Sequence, residues 1–225
     1  MSAANTASPS LVPPDLAKDR AAALALVTVS RETVARLDRL VRVLMQWQQH
    51  TNLIAASTED KLWTRHVADS LQLIALAPKG RRWVDLGSGA GFPGLVIACA
   101  LAETPGAEVH LVESSTKKAS FLREAAQASG APAIVHAVRI EGFARDPPLG
   151  IDVVTARAVA PLARLLTAAY PLLKTGALGL FPKGQDVEAE LTEAAKCWNI
   201  RATLEPSLTN PTSRIVIVNG IEPKI

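Results

Sequence analysis

Residues 82–94, which read RWVDLGSGAGFPG, constrain the fold of this chain more than any other stretch. A short apolar run ends in an acid, and four glycines follow within eight positions: Gly87, Gly89, Gly91 and Gly94. Glycine tolerates positive φ and lets a ligand lie against bare backbone. The free N–H groups at the start of the next helix favour electron-rich groups. The stretch therefore predicts a strand, a tight turn and a helix start that together bind a nucleotide-type cofactor.

Two cofactors are compatible with this turn. Residues 89–94 satisfy the G-x-G-x-x-G pattern of NAD-binding folds. Asp85, two residues before the first glycine, completes D-x-G-x-G-x-G, which resembles the first motif of S-adenosylmethionine methyltransferases. The next strand ends in Glu113, and an acid at that position hydrogen-bonds ribose hydroxyls, which both cofactors carry. Asp85 therefore favours S-adenosylmethionine, while NAD stays open as an alternative.

Composition indicates an ordinary soluble globular protein, with 48% hydrophobic and 20% charged residues in 225. The formal charge of +3 and pI of about 9.0 are compatible with a polyanionic partner. No stretch approaches the length of a membrane span. Cys99 and Cys197 stand alone in helical patterns and read as buried thiols of a reducing compartment. We expect a monomeric, cytoplasmic protein without a membrane partner.

The chain divides into three segments by composition and periodicity. Residues 1–15 are predicted to be a disordered tail, 16–78 a helical lobe that includes a helix capped by Ser57 or Thr58, and 79–225 a cofactor-binding α/β domain. Within the last segment the patterns predict strands at 82–86, 108–113, 133–138, 151–155, 177–182, 200–204 and 214–218, with helices at about 93–103, 117–129, 160–173 and 185–197. This is a Rossmann-like, seven-stranded, mostly parallel sheet with an antiparallel end.

Ligands of such sheets bind outside the carboxyl ends of the parallel strands. That rule selects the residues that follow each predicted strand. Ile140 and Glu141 follow the third strand, where they would meet an adenine, although Ile140 could equally be core. Arg157 follows the fourth strand and could meet a cofactor carboxylate or an RNA phosphate. Lys183 follows the fifth strand, and an RNA phosphate contact is the functional reading of this lysine.

The order of motifs resembles the bacterial 16S ribosomal RNA guanine-N7 methyltransferases, also called the glucose-inhibited division protein B family. The match covers about residues 30–220 and rests on seven segments in order: Trp47 with Asn52-Leu53; residues 65–71 (RHVADSL); 85–94; Glu113 with Lys117-Lys118; 139–143 (RIEGF); 156–158 (ARA); and 180–184 (LFPKG). The chain departs from the family pattern at Ala156, where a serine is usual, and at Gln48, where an asparagine is usual.

The resemblance implies a class I S-adenosylmethionine-dependent methyltransferase with a helical lobe before the catalytic domain. It implies that Gly87, Phe92, Ile140-Glu141 and Arg157 contact the cofactor, and that the substrate is a guanine of 16S ribosomal RNA or of the small-subunit particle. With the turn and the strand ends, the expected cofactor-binding residues are Gly87, Gly89, Gly91, Phe92, Glu113, Ile140, Glu141 and Arg157. The expected RNA-binding residues are Lys183, Lys117 and Lys118.

The chemistry expected here needs no general base, because guanine N7 carries a lone pair and no proton. The strand ends accordingly offer no obvious catalytic base. His66 could bridge the lobe and the site or simply hold two helices together. The remaining histidines share no metal-ligand spacing, so no metal is expected. An NAD-dependent oxidoreductase and a non-catalytic S-adenosylmethionine-sensing protein remain as alternatives from other functional classes.

Overall fold

The computed structural model describes residues 14–224. Residues 1–13 of the predicted tail lie outside this range, and Pro14 opens the first helix. The helices are α1 (Pro14–Leu26), α2 (Arg31–Gln48), α3 (Asp69–Leu76), α4 (Gly94–Leu101), α5 (Thr116–Ser129), α6 (Ile140–Phe143), α7 (Leu162–Leu173) and α8 (Val187–Ala194). The strands are β1 (Arg82–Leu86), β2 (Glu108–Val112), β3 (Ala133–His136), β4 (Val153–Thr155), β5 (Leu178–Lys183), β6 (Trp198–Pro206) and β7 (Arg214–Pro223).

The seven strands form one sheet in the order β3-β2-β1-β4-β5-β7-β6. The first five strands pair in parallel, whereas β7 lies antiparallel between β5 and β6. The Rossmann-like class with an antiparallel end, predicted from the alternation of strand and helix patterns, is thereby confirmed. Consecutive strands run outward from β1 on one side and from β4 on the other, so the order reverses between these two strands. A crevice at their carboxyl ends is the expected ligand position.

Of the helices that precede the sheet, α2 packs against α4 and α5, and α3 packs against α4. Ser30 caps α2 by accepting a hydrogen bond from the Thr33 backbone N–H, and Leu37, Leu40 and Leu44 on its apolar side are fully buried. These side chains belong to the same core cluster as residues of α4 and α5. The seam between α2 and α5 is also closed by Trp47, whose Nε1 donates to Glu124 at 3.0 Å. The proposed division near residue 78 remains a prediction, since the two segments share this core.

The single helix predicted after Ser57 or Thr58 was wrong. The chain forms a 3₁₀ turn at Ala56–Thr58, then a π-helix at Trp63–Ala68 that continues into α3. Asp19 of α1 accepts hydrogen bonds from the backbone N–H groups of Trp63 and Thr64. This carboxylate, 44 positions away in sequence, caps the π-helix and replaces the local cap that the pattern suggested.

Smaller differences concern strand ends and cysteines. β6 and β7 are longer than predicted because they pair along a continuous hairpin from Trp198–Pro223 to Pro206–Arg214, with one irregularity at Arg201/Ala202. β3 ends two residues early, at His136. Cys99 is buried as expected, but Cys197 is exposed, because α8 ends at Ala194 before reaching it. Among residues 14–224, no helix has the length and apolarity needed to cross a membrane.

Candidate cofactor and substrate site

Asp85 organises the turn that follows β1. Its carboxylate is buried and accepts a hydrogen bond from the Gly94 backbone N–H at 3.1 Å and another from Thr155 Oγ1 at 3.1 Å. Burial raises the pKa of Asp85 to about 6, and the hydrogen bond from Gly94 opposes that rise. The acid that suggested the cofactor motif thus ties the end of β1 to the first residue of α4 and to β4. These two hydrogen bonds fix the shape of the turn.

All four glycines are required by the geometry of this turn. Gly87, Gly89 and Gly91 have φ of +71°, +54° and +83°, in the left-handed region that disfavours side chains. A Cβ at Gly94 would lie 2.5 Å from Leu111 Cδ2 and 2.6 Å from Asp85 Cβ. The backbone therefore passes so close to β1 and β2 that only glycine fits. The Phe92–Pro93 peptide bond that leads into α4 is cis.

Glu113 follows β2 and faces the same turn. One of its carboxylate oxygens accepts from the Gly89 backbone N–H at 2.9 Å, and the other accepts from the Ser115 N–H at 2.7 Å. The side chain is largely buried but lines the cavity described below. Each carboxylate oxygen can accept a second hydrogen bond, so Glu113 is oriented by the backbone and retains acceptor capacity for hydroxyl groups of a ligand.

A cavity of about 1080 Å³ opens above the carboxyl ends of β1, β2, β4 and β5. It brings together most of the sequence-predicted site residues: Gly87, Gly89, Phe92, Glu113, Lys118, Arg157 and Lys183. The helical lobe contributes Arg65, His66 and Asp69 to its wall. Gly91 and Lys117 do not line this cavity. Gly91 is part of the turn but faces α4, because a Cβ added there would lie 2.8 Å from Leu95 Cβ.

Ile140 and Glu141 lie elsewhere. They belong to α6, a short helix that the sequence analysis had not predicted, and they line a second cavity of about 480 Å³ between α6 and α7. The two cavities share Val159 and Ala160 in the loop after β4. A Cβ at Gly87 would lie 2.6 Å from Val159 Cγ2, so this loop lies directly over the glycine turn. Ile140 and Glu141, the predicted adenine-binding residues, therefore line a cavity next to the one that the glycine turn lines.

Arg157 joins the sheet to the helical lobe. Its Nη1 donates to the Arg65 carbonyl at 2.9 Å and to Asp69 Oδ2 at 3.2 Å, and its Nη2 lies 2.6 Å from His66 Nδ1. The guanidinium carbon lies 5.5 Å from the centroid of the Phe92 ring, a cation–π arrangement. Burial lowers the pKa of Arg157 from its usual value, while the nearby Asp69 opposes this shift. At this depth arginine remains a cation.

His66 lies in the π-helix between Arg157 and the cofactor turn. Its ring stacks on Phe92, with 4.9 Å between centroids and 23° between planes, and its Nε2 lies 3.0 Å from Thr58 Oγ1. Burial, and then the positive charge of Arg157, lowers the pKa of His66 to about 3. The histidine is therefore neutral at physiological pH.

The predicted RNA-binding lysines differ in their surroundings. Lys117 is exposed at the start of α5, where its Nζ donates to the His50 carbonyl at 3.1 Å. Lys118 lines the cavity from the same helix. Lys183 is 10% exposed and is engaged within the protein, because its Nζ donates to Glu190 at 2.8 Å and to the Ala160 carbonyl at 2.9 Å.

A further wall of the cavity was not predicted from the sequence. It is the β6–β7 connection, residues 207–213, which hydrogen-bonds to α3: Thr209 Oγ1 donates to Asp69 Oδ1 at 2.8 Å, and the Leu208 N–H donates to Gln72 Oε1 at 2.8 Å. Ser207 and Ser213 line the cavity. Only Asp69, within the segment RHVADSL, carried a sequence signal, because the connection itself reads as an ordinary Ser/Thr/Asn/Pro turn.

Comparison with known proteins identifies close relatives. The family described as rRNA small subunit methyltransferase G matches residues 33–213. Proteins named ribosomal RNA small subunit methyltransferase G are similar: one from a Bradyrhizobium species is 59% identical and covers 92% of this chain and 93% of its own, and one from Rhodopseudomonas palustris is 56% identical over 94% and 91%. Among solved structures, an O-methyltransferase from Bacillus cereus with S-adenosylhomocysteine aligns with TM-score 0.59 and 12% identity, over 90% of this chain and 97% of that one.

Proposed function

Because the chain belongs to the rRNA small subunit methyltransferase G family, we propose that it transfers a methyl group from S-adenosylmethionine to N7 of a guanine in 16S ribosomal RNA. The observation that carries this proposal is the 1080 Å³ cavity, where the glycine turn, Glu113 and Arg157 meet the helical lobe. Relatives that are 55–60% identical over more than nine-tenths of this chain carry the rRNA methyltransferase name. A likeness in fold alone would not indicate which substrate the protein methylates.

The residues present fit S-adenosylmethionine. Glu113 has acceptor capacity left for the two ribose hydroxyls, and the Gly87–Gly89 backbone offers a surface without side chains for the methionine part. Arg157 supplies a fixed cation for the carboxylate, with Gly91 and Phe92 shaping the turn beneath. Ile140 and Glu141 would contact the adenine from the second cavity, across the loop that carries Val159. When bound, this cofactor supplies an electrophilic methyl group on a sulfonium.

The protein's own contribution to catalysis is positioning. Guanine N7 has an exposed lone pair and loses no proton, so no side chain need act as a base. His66 is unsuited to that role, because its Nδ1 is held by Arg157 and its Nε2 by Thr58. The site residues would instead hold the reacting atoms in line at about 3–3.5 Å, which removes much of the entropic barrier to the reaction.

Basic side chains at the rim would hold the RNA. Lys117 and Lys118 extend from the start of α5 beside the cavity, and Lys183 lies on the opposite wall next to Glu190. Their charges, in a chain of net charge +3, favour the phosphates of 16S RNA or of the small-subunit particle. The protein would act in the cytoplasm as a monomer.

Mapping of N7-methylguanine in 16S ribosomal RNA tests this proposal. Ribosomal RNA from cells that lack the protein should lose one N7-methylguanine, and purified protein with S-adenosylmethionine should restore it. The melting temperature of the protein should rise with S-adenosylmethionine or S-adenosylhomocysteine and stay unchanged with NAD. If the N7-methylguanine is lost in cells that lack the protein but purified protein does not restore it, a non-catalytic sensing role would be favoured. A rise in melting temperature with NAD alone would favour an oxidoreductase.

A further inference from the structure

A series of hydrogen bonds determines which nitrogen of His66 carries the hydrogen. Arg157 Nη2 can only donate, so His66 Nδ1, 2.6 Å away, must be the unprotonated acceptor. Nε2 therefore carries the hydrogen and donates it to Thr58 Oγ1 at 3.0 Å. Thr58 in turn donates to the Ala55 carbonyl at 2.9 Å. Protonation of Nδ1 would point an N–H at a guanidinium, so this network keeps the ring neutral.

The partners of Arg157 divide into charged and neutral acceptors. Asp69 is its one carboxylate partner among residues 14–224, and the other Asp69 oxygen already accepts from Gln72, Ser207 and Thr209. The Arg65 carbonyl and the His66 ring are neutral. A neutral acceptor satisfies a buried N–H and fixes the guanidinium plane without cancelling its charge. Two of the five guanidinium N–H donors have no partner within the described part of the chain, and the side chain lines the cavity.

We infer that His66 is a positioning residue: as a neutral acceptor it holds the Arg157 guanidinium over Phe92, so that the cation stays available to the carboxylate of the cofactor. This inference rests on the proposed function. It makes the π-helix of the lobe part of the cofactor site, although His66 acts through Arg157 and the cofactor turn. The stacking of His66 on Phe92 gives the ring a second contact with the turn.

Two matched substitutions separate hydrogen bonding from packing. His66→Asn places an amide oxygen close to the Nδ1 position and loses the stack, whereas His66→Phe keeps a stacked ring and loses the acceptor. We expect the affinity for S-adenosylhomocysteine, measured by calorimetry, to stay within about threefold in His66→Asn and to fall at least about tenfold in His66→Phe, because a buried N–H loses its acceptor. A packing role predicts the reverse order, and that order, or equal affinities, would overturn the inference.

Two further variants keep the test decisive. His66→Asp has the shape of His66→Asn but adds a negative charge beside Arg157, and we expect it to bind at least about tenfold more weakly than His66→Asn. If melting curves show that His66→Phe is unfolded, His66→Gln replaces it, because its amide reaches the Thr58 position and leaves Arg157 without an acceptor. Equal affinities for the Asn and Asp variants would contradict the neutral-acceptor role.

The tautomer can be observed directly. In ¹⁵N-labelled wild-type protein, the His66 ring should show an unprotonated Nδ1 and a protonated Nε2 at every pH from 5 to 9, with free histidine in the same buffers as the titrating reference. A His66 that titrates together with free histidine, or that is protonated at Nδ1, would overturn the inference. Wild-type protein that binds no S-adenosylhomocysteine would overturn the proposed function as well, whereas normal wild-type binding with unchanged variants would overturn the positioning role alone.

Discussion

The turn after β1 and the segment after β3 both follow parallel strands, yet their residues are held in different ways. The turn is fixed by buried Asp85, by glycines with positive φ and by Glu113, whose two oxygens bind backbone N–H groups. Ile140 is half-buried and Glu141 is exposed on a four-residue helix, in a separate cavity. A cofactor that spans both regions therefore meets one rigid wall and one adaptable wall. Paired substitutions in the two regions can test this difference.

The largest effect is expected from one glycine in each region. Gly94→Ala forces a Cβ to within 2.7 Å of the Asp85 carboxylate and of Leu111, so the free energy of unfolding should fall by about 3 kcal/mol or more. Gly142→Ala in α6 meets nothing within 4 Å and should leave stability equal or higher by about 0.5 kcal/mol. Urea denaturation measures both. Equal losses would show that the two regions are equally rigid.

Carboxylates give the next comparison. Glu113→Ala should weaken S-adenosylmethionine binding by about 1–3 kcal/mol, because the ribose hydroxyls lose an oriented, charged acceptor. Glu141→Ala should cost about 0.5–1 kcal/mol, since an exposed carboxylate gains little from a hydrogen bond that water can replace. Calorimetry on both variants measures the two losses in affinity for S-adenosylmethionine. An unchanged affinity in Glu113→Ala would contradict the assigned cofactor site.

Asp85 links the rigid region to pH. Its folded-state pKa of about 6 lies above its ordinary value of 3.8, so the protonated form favours folding and stability falls as pH rises from about 4 to about 6. In Asp85→Asn this contribution disappears, because the amide can accept from Gly94 and donate to Thr155. We expect the variant to be about 2 kcal/mol more stable than wild type at pH 7.5 and similar at pH 4. A wild type that gains stability relative to Asp85→Asn across this range would contradict the raised pKa.

The lysines extend the comparison to the rim of the cavity. Lys117→Ala should lower the slope of log affinity for RNA against log salt by about one, as expected for one lost phosphate contact. Lys183→Ala should lower it by less, because Lys183 is already paired with Glu190. Neither should change the affinity for S-adenosylmethionine. A Lys183 variant that loses the cofactor and keeps RNA would place this lysine in the cofactor site instead.

The smallest expected effect is a null one. With the pKa of His66 near 3 and no base required, the single-turnover rate of methyl transfer should stay nearly flat between about pH 6 and 9. Rapid-quench assays on bound, folded RNA measure this rate. A steep rise with a midpoint near 7 would show that a side chain must lose a proton during the reaction.

The sequence predicted those features that depend on local backbone chemistry. The seven-stranded, mostly parallel sheet with an antiparallel end followed from the alternation of patterns, and the glycine turn from residues that only a tight βα connection requires. The π-helix escaped prediction, because its side chains follow ordinary helical spacing and its cap, Asp19, comes from α1. The loop after β4, whose residues Val159 and Ala160 line both cavities, was not predicted to lie over the turn, and the φ of +56° at Ala158 is not one that its residue type suggests. Such features arise from tertiary contacts.

The attachment of the β6–β7 connection to α3 also determines when the site can exist during synthesis. The hydrogen bond from Gln72 to Ser207 cannot form until Ser207, 135 positions later in the chain, has been synthesised. At a bacterial elongation rate of about 5–20 residues per second, that wait is about 7–27 seconds. During this interval the glycine turn, β2 and Arg157 are synthesised one after another, while the β6–β7 connection that completes the cavity is made only at its end. The nascent chain thus contains the predicted cofactor-binding residues before it contains the residues that complete the cavity around a guanine.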